Sequence, residues 1–111
     1  MNQAPALAIA ISIALTGGLR PAPARAGPAE QALASKFACM SCHSQTQKLV
    51  GPSFDAIAAK YGGDNPKAVD ALIAVIQKGG SGVWGPVPMP ANPQISEADA
   101  RTLATWILSR K

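Results

Sequence analysis

The segment Cys39-Met40-Ser41-Cys42-His43 places two thiols three positions apart, with an imidazole directly after the second. Residues three apart on a helix share one face, so both sulfurs can reach one flat group while the His43 ring turns toward its centre. The pattern C-x-x-C-H is typical of c-type haem attachment. It predicts thioethers from Cys39 and Cys42 to the two vinyl groups, with His43 as the proximal iron ligand.

Three other chemistries also use closely spaced cysteines. A thioredoxin-like redox pair belongs to a βαβ setting, and no strand-like alternation surrounds this segment. A structural zinc site needs four ligands, whereas the whole chain holds 2 Cys and 1 His. A disulfide between Cys39 and Cys42 would close a very small loop and gain little entropy. Haem attachment is therefore the favoured interpretation.

A second axial ligand must come from the remaining side chains. The chain has 1 His, so a second imidazole is excluded. Of the 3 methionines, Met1 falls in the leader proposed below, and Met40 lies between the attachment cysteines. Met89 remains, in the proline-rich segment Gly79–Pro93, which we expect to be neither helix nor strand but stiffened by its prolines. We predict Met89 as the distal ligand; a distal lysine and an open site are the alternatives.

The first 26 residues are interpreted as an export leader. Ala6–Leu15 is apolar except for Ser12, and it is too short to span a bilayer. Ala24-Arg25-Ala26 presents small residues where signal peptidase requires them, so we expect cleavage after Ala26 and a mature domain over residues 27–111. No Lys or Arg precedes the apolar stretch, which departs from the usual leader. A buried N-terminal helix is the alternative.

Four helical patterns follow, and no stretch alternates convincingly, so we expect an all-α domain. The first helix is predicted to begin at Pro28 and run into Cys39. Ser53, Asn65 and Ser96 are predicted N-caps of the other three. The predicted apolar faces are Phe54, Ile57, Ala58 and Tyr61; Val69, Leu72, Ile73 and Ile76; and Ala100, Leu103, Ala104, Ile107 and Leu108, with Trp106 at the edge of the last.

Size and charge limit the possible functions. Removal of the leader leaves 85 residues, a single small domain. Such a domain buries only a small hydrophobic core by itself. A covalently held haem would add a large apolar surface against which the chain can pack. The net charge falls from +4 to +2, with eight Lys/Arg against six Asp/Glu. Without a basic cluster or interleaved aromatic residues, this charge does not favour nucleic-acid binding.

The sequence resembles the short class I cytochromes c of bacteria, particularly the five-fifty-one type, over nearly all of residues 30–111. The resemblance implies four to five helices around one low-spin haem c, and electron shuttling in the periplasm. Its most specific segments are residues 39–43, Leu49-Val50-Gly51-Pro52, residues 82–90 and residues 103–108.

The resemblance also implies roles for three further residues. Pro52 would accept a hydrogen bond from the His43 ring, which orients the ligand. Trp84 would donate its indole N–H to a haem propionate. Asn92 would set its amide near the Met89 sulfur, which is a weak acceptor.

Two positions depart from the family pattern. Ala34 stands where many relatives have an aromatic residue, so the contact between the first helix and Trp106 is expected to be rearranged. Val75 stands where relatives often have a basic residue near a propionate, so pH-linked redox behaviour is expected to be weaker.

The predicted function is that of a soluble, monomeric electron carrier without enzymatic activity or stable membrane insertion. Redox proteins would dock transiently at the exposed haem edge, steered by lysines. The alternatives are a haem-based sensor or peroxidase-like enzyme with a labile distal site, a domain of a larger haem enzyme, and a photosynthetic electron donor, which would differ from the favoured carrier only in its partner. The expected edge residues are Val50, Pro52, Val87 and Pro88, and the expected steering charges are Lys36, Lys48, Lys60 and Lys78.

Overall fold

The computed structural model describes residues 17–18 and 27–110. It confirms the small, mostly helical fold expected from the sequence. The predicted leader lies outside the described residues apart from Gly17 and Gly18, so its cleavage stays a prediction. The elements are α1 (Pro28–Lys36), a 3₁₀ turn (Cys39–Ser41), α2 (Phe54–Tyr61), α3 (Pro66–Lys78), β1 (Gly80–Gly82), β2 (Gly85–Met89) and α4 (Glu97–Leu108).

Three helices begin at the predicted polar caps. The side chain of Ser53 accepts from the N–H of residue 56, that of Asn65 from residue 68, and that of Ser96 from residue 99. Each cap satisfies an N–H group that the helix leaves unpaired, which typically contributes about 1 kcal/mol. Helix α2 ends at Tyr61 and is followed by the C-cap Gly62, whose φ of +70° suits a residue without a Cβ.

The core forms where α4 packs against the other three helices. Trp106, predicted at the edge of the apolar face, is instead buried in this core, and its ring meets Phe54 edge-on at 5.4 Å. Ala34 of α1 is fully buried in the same cluster, so a small side chain occupies this part of the helix interface. None of the described helices is long and apolar enough to cross a bilayer.

Helix α1 ends earlier than predicted. It stops at Lys36 instead of continuing to Cys39, because Ala38 adopts a left-handed conformation with φ of +58°. The two cysteines therefore bracket a 3₁₀ turn. Residues three apart eclipse one another in an ideal 3₁₀ helix, so the shared face predicted from an α-helix is replaced by a tighter turn between Cys39 and Cys42.

The expectation that residues 79–93 contain no strand is wrong. Strands β1 and β2 form an antiparallel hairpin that pairs Gly80 with Met89 and Gly82 with Gly85. Prolines and glycines hide the hairpin from pattern analysis, yet a two-stranded hairpin has only edge strands, where a missing N–H is tolerated. Positive φ angles at Gly82 and Gly85 allow the tight turn.

Candidate haem site

A largely apolar cavity of about 620 Å³ lies between α2, α3 and the hairpin. Five of the seven predicted site residues line it, while Cys39 and Asn92 do not. Cys39 is half-buried against the core next to Met40. The five lining residues are Cys42, His43, Pro52, Trp84 and Met89.

The His43 ring is held in a single orientation. Its Nδ1 lies 2.7 Å from the carbonyl oxygen of Pro52. A carbonyl oxygen only accepts, so Nδ1 is the donor of this bond; in the neutral imidazole Nε2 then has the lone pair that can bind a metal. The Phe54 ring stacks on the imidazole at 5.5 Å with an interplanar angle of 23°.

Gly51 allows the backbone to approach this ring. A Cβ at Gly51 would stand 2.5 Å from Cε1 and 2.9 Å from Nδ1 of His43. The Gly51 N–H also donates to the carbonyl of Cys42 at 2.8 Å, which ties the loop to the attachment motif. In the sequence, this glycine is part of the segment Leu49-Val50-Gly51-Pro52, but its contact with the imidazole is visible only in the tertiary structure.

Cys39 and Cys42 do not form a disulfide with each other. Burial raises the pKa of the Cys39 thiol, and a hydrogen bond with its own backbone opposes this in part. The unattached Cys39 side chain is therefore favoured as the neutral thiol. Within residues 17–18 and 27–110, no three His, Cys, Asp or Glu side chains gather into a metal-binding group.

Asn92 ties the segment after Met89 to the end of α3. Its side-chain amide donates to the carbonyls of Ile76 at 3.1 Å and Pro90 at 3.3 Å. Gly79 adds a tight contact, because a Cβ there would lie 2.5 Å from the Met89 carbonyl oxygen. These contacts locate the Met89 backbone at the cavity, while an interaction of the Asn92 amide with the sulfur stays a prediction.

Trp84 stands at the rim of the cavity with 44% of its surface exposed. The Lys60 ammonium lies 5.1 Å from the centre of its ring, a cation–π distance. Val75 also lines the cavity and contributes no charge. The hydrogen bond from Trp84 to a propionate and the weak pH dependence expected from Val75 remain predictions.

These residues fit a c-type haem. The cavity is largely apolar, two cysteines bracket one tight turn, and one imidazole is hydrogen-bonded through Nδ1, which leaves Nε2 to meet a metal. The sequence agrees, because the family model for cytochrome c matches residues 21–111. This chain belongs to the cytochrome c family. As a small class I cytochrome of the c-551 type, it carries one haem c attached through Cys39 and Cys42, and it transfers electrons rather than catalysing a reaction.

Individual relatives cover most of this cytochrome. A cytochrome c-551 of Azotobacter vinelandii is 55% identical over 73 residues, which are 66% of this chain and 87% of the relative. A cytochrome c-552 of Hydrogenobacter thermophilus is 51% identical over 84 residues, 75% of this chain and 83% of the relative. The crystal structure of wild-type Nitrosomonas europaea cytochrome c552 superposes with a TM-score of 0.69 at 48% identity, covering 73% and 99% of the two chains.

Proposed function

We propose that this cytochrome is a periplasmic one-electron carrier whose iron is ligated by His43 and Met89. The observation that carries the proposal is the shared cavity, which both side chains line. Met40 packs against the core instead and does not line it. Among the methionines within residues 27–110, Met89 is the one that lines the cavity, which supports it as the proposed distal ligand.

The protein side chains determine how such a haem behaves. Bound haem supplies a reversible one-electron couple, and an imidazole–thioether ligand pair raises its potential. The hydrogen bond to Pro52 occupies Nδ1 of His43, so Nε2 would be the nitrogen that binds the iron. Met89 would supply a soft, neutral sulfur, which favours ferrous iron, and as a ligand it would leave no coordination position for oxygen or peroxide.

Partners are proposed to dock where apolar side chains surround the cavity. Val50 and Val87 both line it and are 61% and 62% exposed, and Trp84 lies beside them. A small apolar surface of this kind suits the weak, short-lived complexes of redox proteins. We propose a quinol-oxidising complex as donor and a nitrite reductase or terminal oxidase as acceptor, with this cytochrome acting as a monomer.

Electron transfer to an acidic partner is expected to slow as ionic strength rises, because salt screens surface charges beyond about 10 Å at 0.1 M. Lys48 lines the cavity and is exposed. Lys48→Gln should lower the rate at low salt and flatten its salt dependence, as stopped-flow kinetics can show. Lys67→Gln is the control, since Lys67 does not line the cavity. If the electron-transfer rate changes neither with ionic strength nor in Lys48→Gln, charge steering is excluded and apolar contacts alone would account for docking.

The exported protein is expected to begin at Gly27 and to carry one covalent haem. The basis is the small-residue site Ala24-Arg25-Ala26 after a short apolar stretch. Mass spectrometry of the periplasmic fraction gives both the start of the chain and the added mass. A chain that retains Met1, or haem that acid–acetone extracts, would contradict this expectation.

A further inference from the structure

Arg110, just after α4, connects two residues that are distant in sequence. Its Nε donates to Oδ1 of Asp55 at 2.5 Å, and its Nη1 donates to Oε1 of Gln45 at 2.9 Å. The Arg110 side chain is only 16% exposed. Arg101 of α4, by contrast, is 50% exposed and pairs with two carboxylates that are still more exposed. The Arg110 contacts are therefore better shielded from solvent and salt.

The two acceptors of Arg110 stand at the base of the loop that supports the haem ligand, residues 45–55. Two backbone bonds close this base: Phe54 N–H donates to the Ser44 carbonyl at 3.0 Å, and Asp55 N–H to the Gln45 carbonyl at 3.1 Å. The loop contains Pro52, whose carbonyl accepts from the His43 ring. Opening its base would free this acceptor to move away from the imidazole.

We propose that Arg110 is a positioning residue of the haem site. By joining Gln45 to Asp55 it keeps the base of the loop closed, and thereby holds the Pro52 carbonyl against Nδ1–H of His43. The role requires arginine, because one rigid guanidinium directs two donors at two acceptors, whereas an ammonium is a single point charge. The inference rests on the proposed role of His43 as the proximal ligand.

A redox consequence follows from this arrangement. A close carbonyl increases the electron donation of an imidazole ligand, which favours ferric iron. If the base of the loop opens more often, His43 donates less on average. The ferrous state is then stabilised relative to the ferric state. Loss of the Arg110 contacts with Gln45 and Asp55 should therefore raise the reduction potential, even where the positive charge at position 110 is kept.

Arg110→Lys tests the proposal in the holoprotein, because it keeps the positive charge but removes the planar guanidinium whose two N–H groups donate to Asp55 and Gln45. Hydrogen exchange measured by NMR should be about tenfold faster at His43 Nδ1–H and at the N–H groups of Gly51, Phe54 and Asp55, which corresponds to about 1.4 kcal/mol of opening free energy. The amides in the middle of α3 should keep their rates. The reduction potential should rise.

Two further variants sharpen the test. Arg101→Lys makes the same replacement at the exposed arginine of α4. It should change neither the exchange rate of the His43 ring proton nor the reduction potential. Asp55→Ala removes the carboxylate that accepts from Nε of Arg110 and should reproduce the local pattern of Arg110→Lys.

The proposal is overturned if the His43 ring proton keeps its parental exchange rate in Arg110→Lys. It is equally overturned if the loop and α3 accelerate together, since Arg110 would then contribute only to global stability. Failure of the underlying ligand assignment looks different: in the parent itself, the His43 ring proton would lack the large chemical-shift displacement of a haem-bound imidazole.

Discussion

Met89→Ala is expected to abolish the weak near-infrared sulfur-to-iron charge-transfer band of the ferric holoprotein. If Met89 is the distal ligand as proposed, the variant lacks a protein ligand at the sixth position, so water or an added ligand should enter and peroxidase-like reactivity should appear. The reduction potential should fall, because the lost thioether favours ferrous iron; axial ligands span roughly 0.8 V among haem proteins. Absorption spectroscopy and voltammetry measure both effects.

Met40→Ala is the matched control for this variant. It also removes a methionine, but one that packs against the core instead of lining the cavity. Met40→Ala should keep the sulfur-to-iron charge-transfer band of the parent, and it should bind added ligands no more readily than the parent does. Attachment through Cys39 and Cys42 should survive in both variants, because the thioethers do not depend on the distal side. A Met89→Ala protein with an unchanged spectrum and potential would show that another group is the ligand.

Gly51→Ala is expected to strain the proximal side of the haem. The new Cβ would stand 2.5 Å from Cε1 of His43, so the ring or the loop must shift. The ring is confined by its hydrogen bond to Pro52 and by the stacked Phe54. Overpacking of this kind typically costs about 1–3 kcal/mol, which denaturant unfolding of the holoprotein can measure. The potential should rise as the bond to Pro52 lengthens.

Gly80→Ala controls for the replacement of glycine itself. A Cβ at Gly80 meets no protein atom within 4 Å, and its φ lies outside the left-handed region. This variant should therefore lose little stability. If Gly51→Ala unfolds at the parental denaturant concentration and keeps the parental potential, the loop around His43 has more freedom than the contact distances indicate.

The features that sequence predicted well depend on local chemistry. Ser53, Asn65 and Ser96 were identified as caps because a cap and the N–H groups it satisfies lie within one turn. The apolar stripe of α3 was clear because its spacing alone identifies a buried face. The attachment motif is equally local, since two thiols and the imidazole occupy five consecutive residues.

The features that sequence missed depend on distant partners or on disguised residues. Helix α1 ends before Ala38, which has a positive φ. A glycine at this position would have indicated the end of the helix, but an alanine does not. The hairpin is built from glycines and prolines, which pattern analysis assigns to loops. The contacts of Arg110 span 55 and 65 positions along the chain, so no local spacing indicates them. Gly51 and His43 were both identified in the sequence, but the close contact between them was not predicted.

The central claim is that this cytochrome is an electron carrier whose iron is closed on both sides by His43 and Met89. The most direct test exposes the ferrous parent holoprotein to carbon monoxide at neutral pH and follows its absorption spectrum. A closed site predicts a spectrum that does not change, with Met89→Ala binding the gas under the same conditions. Rapid formation of a carbon monoxide adduct by the parent would contradict the claim and favour a sensor or a peroxidase-like enzyme.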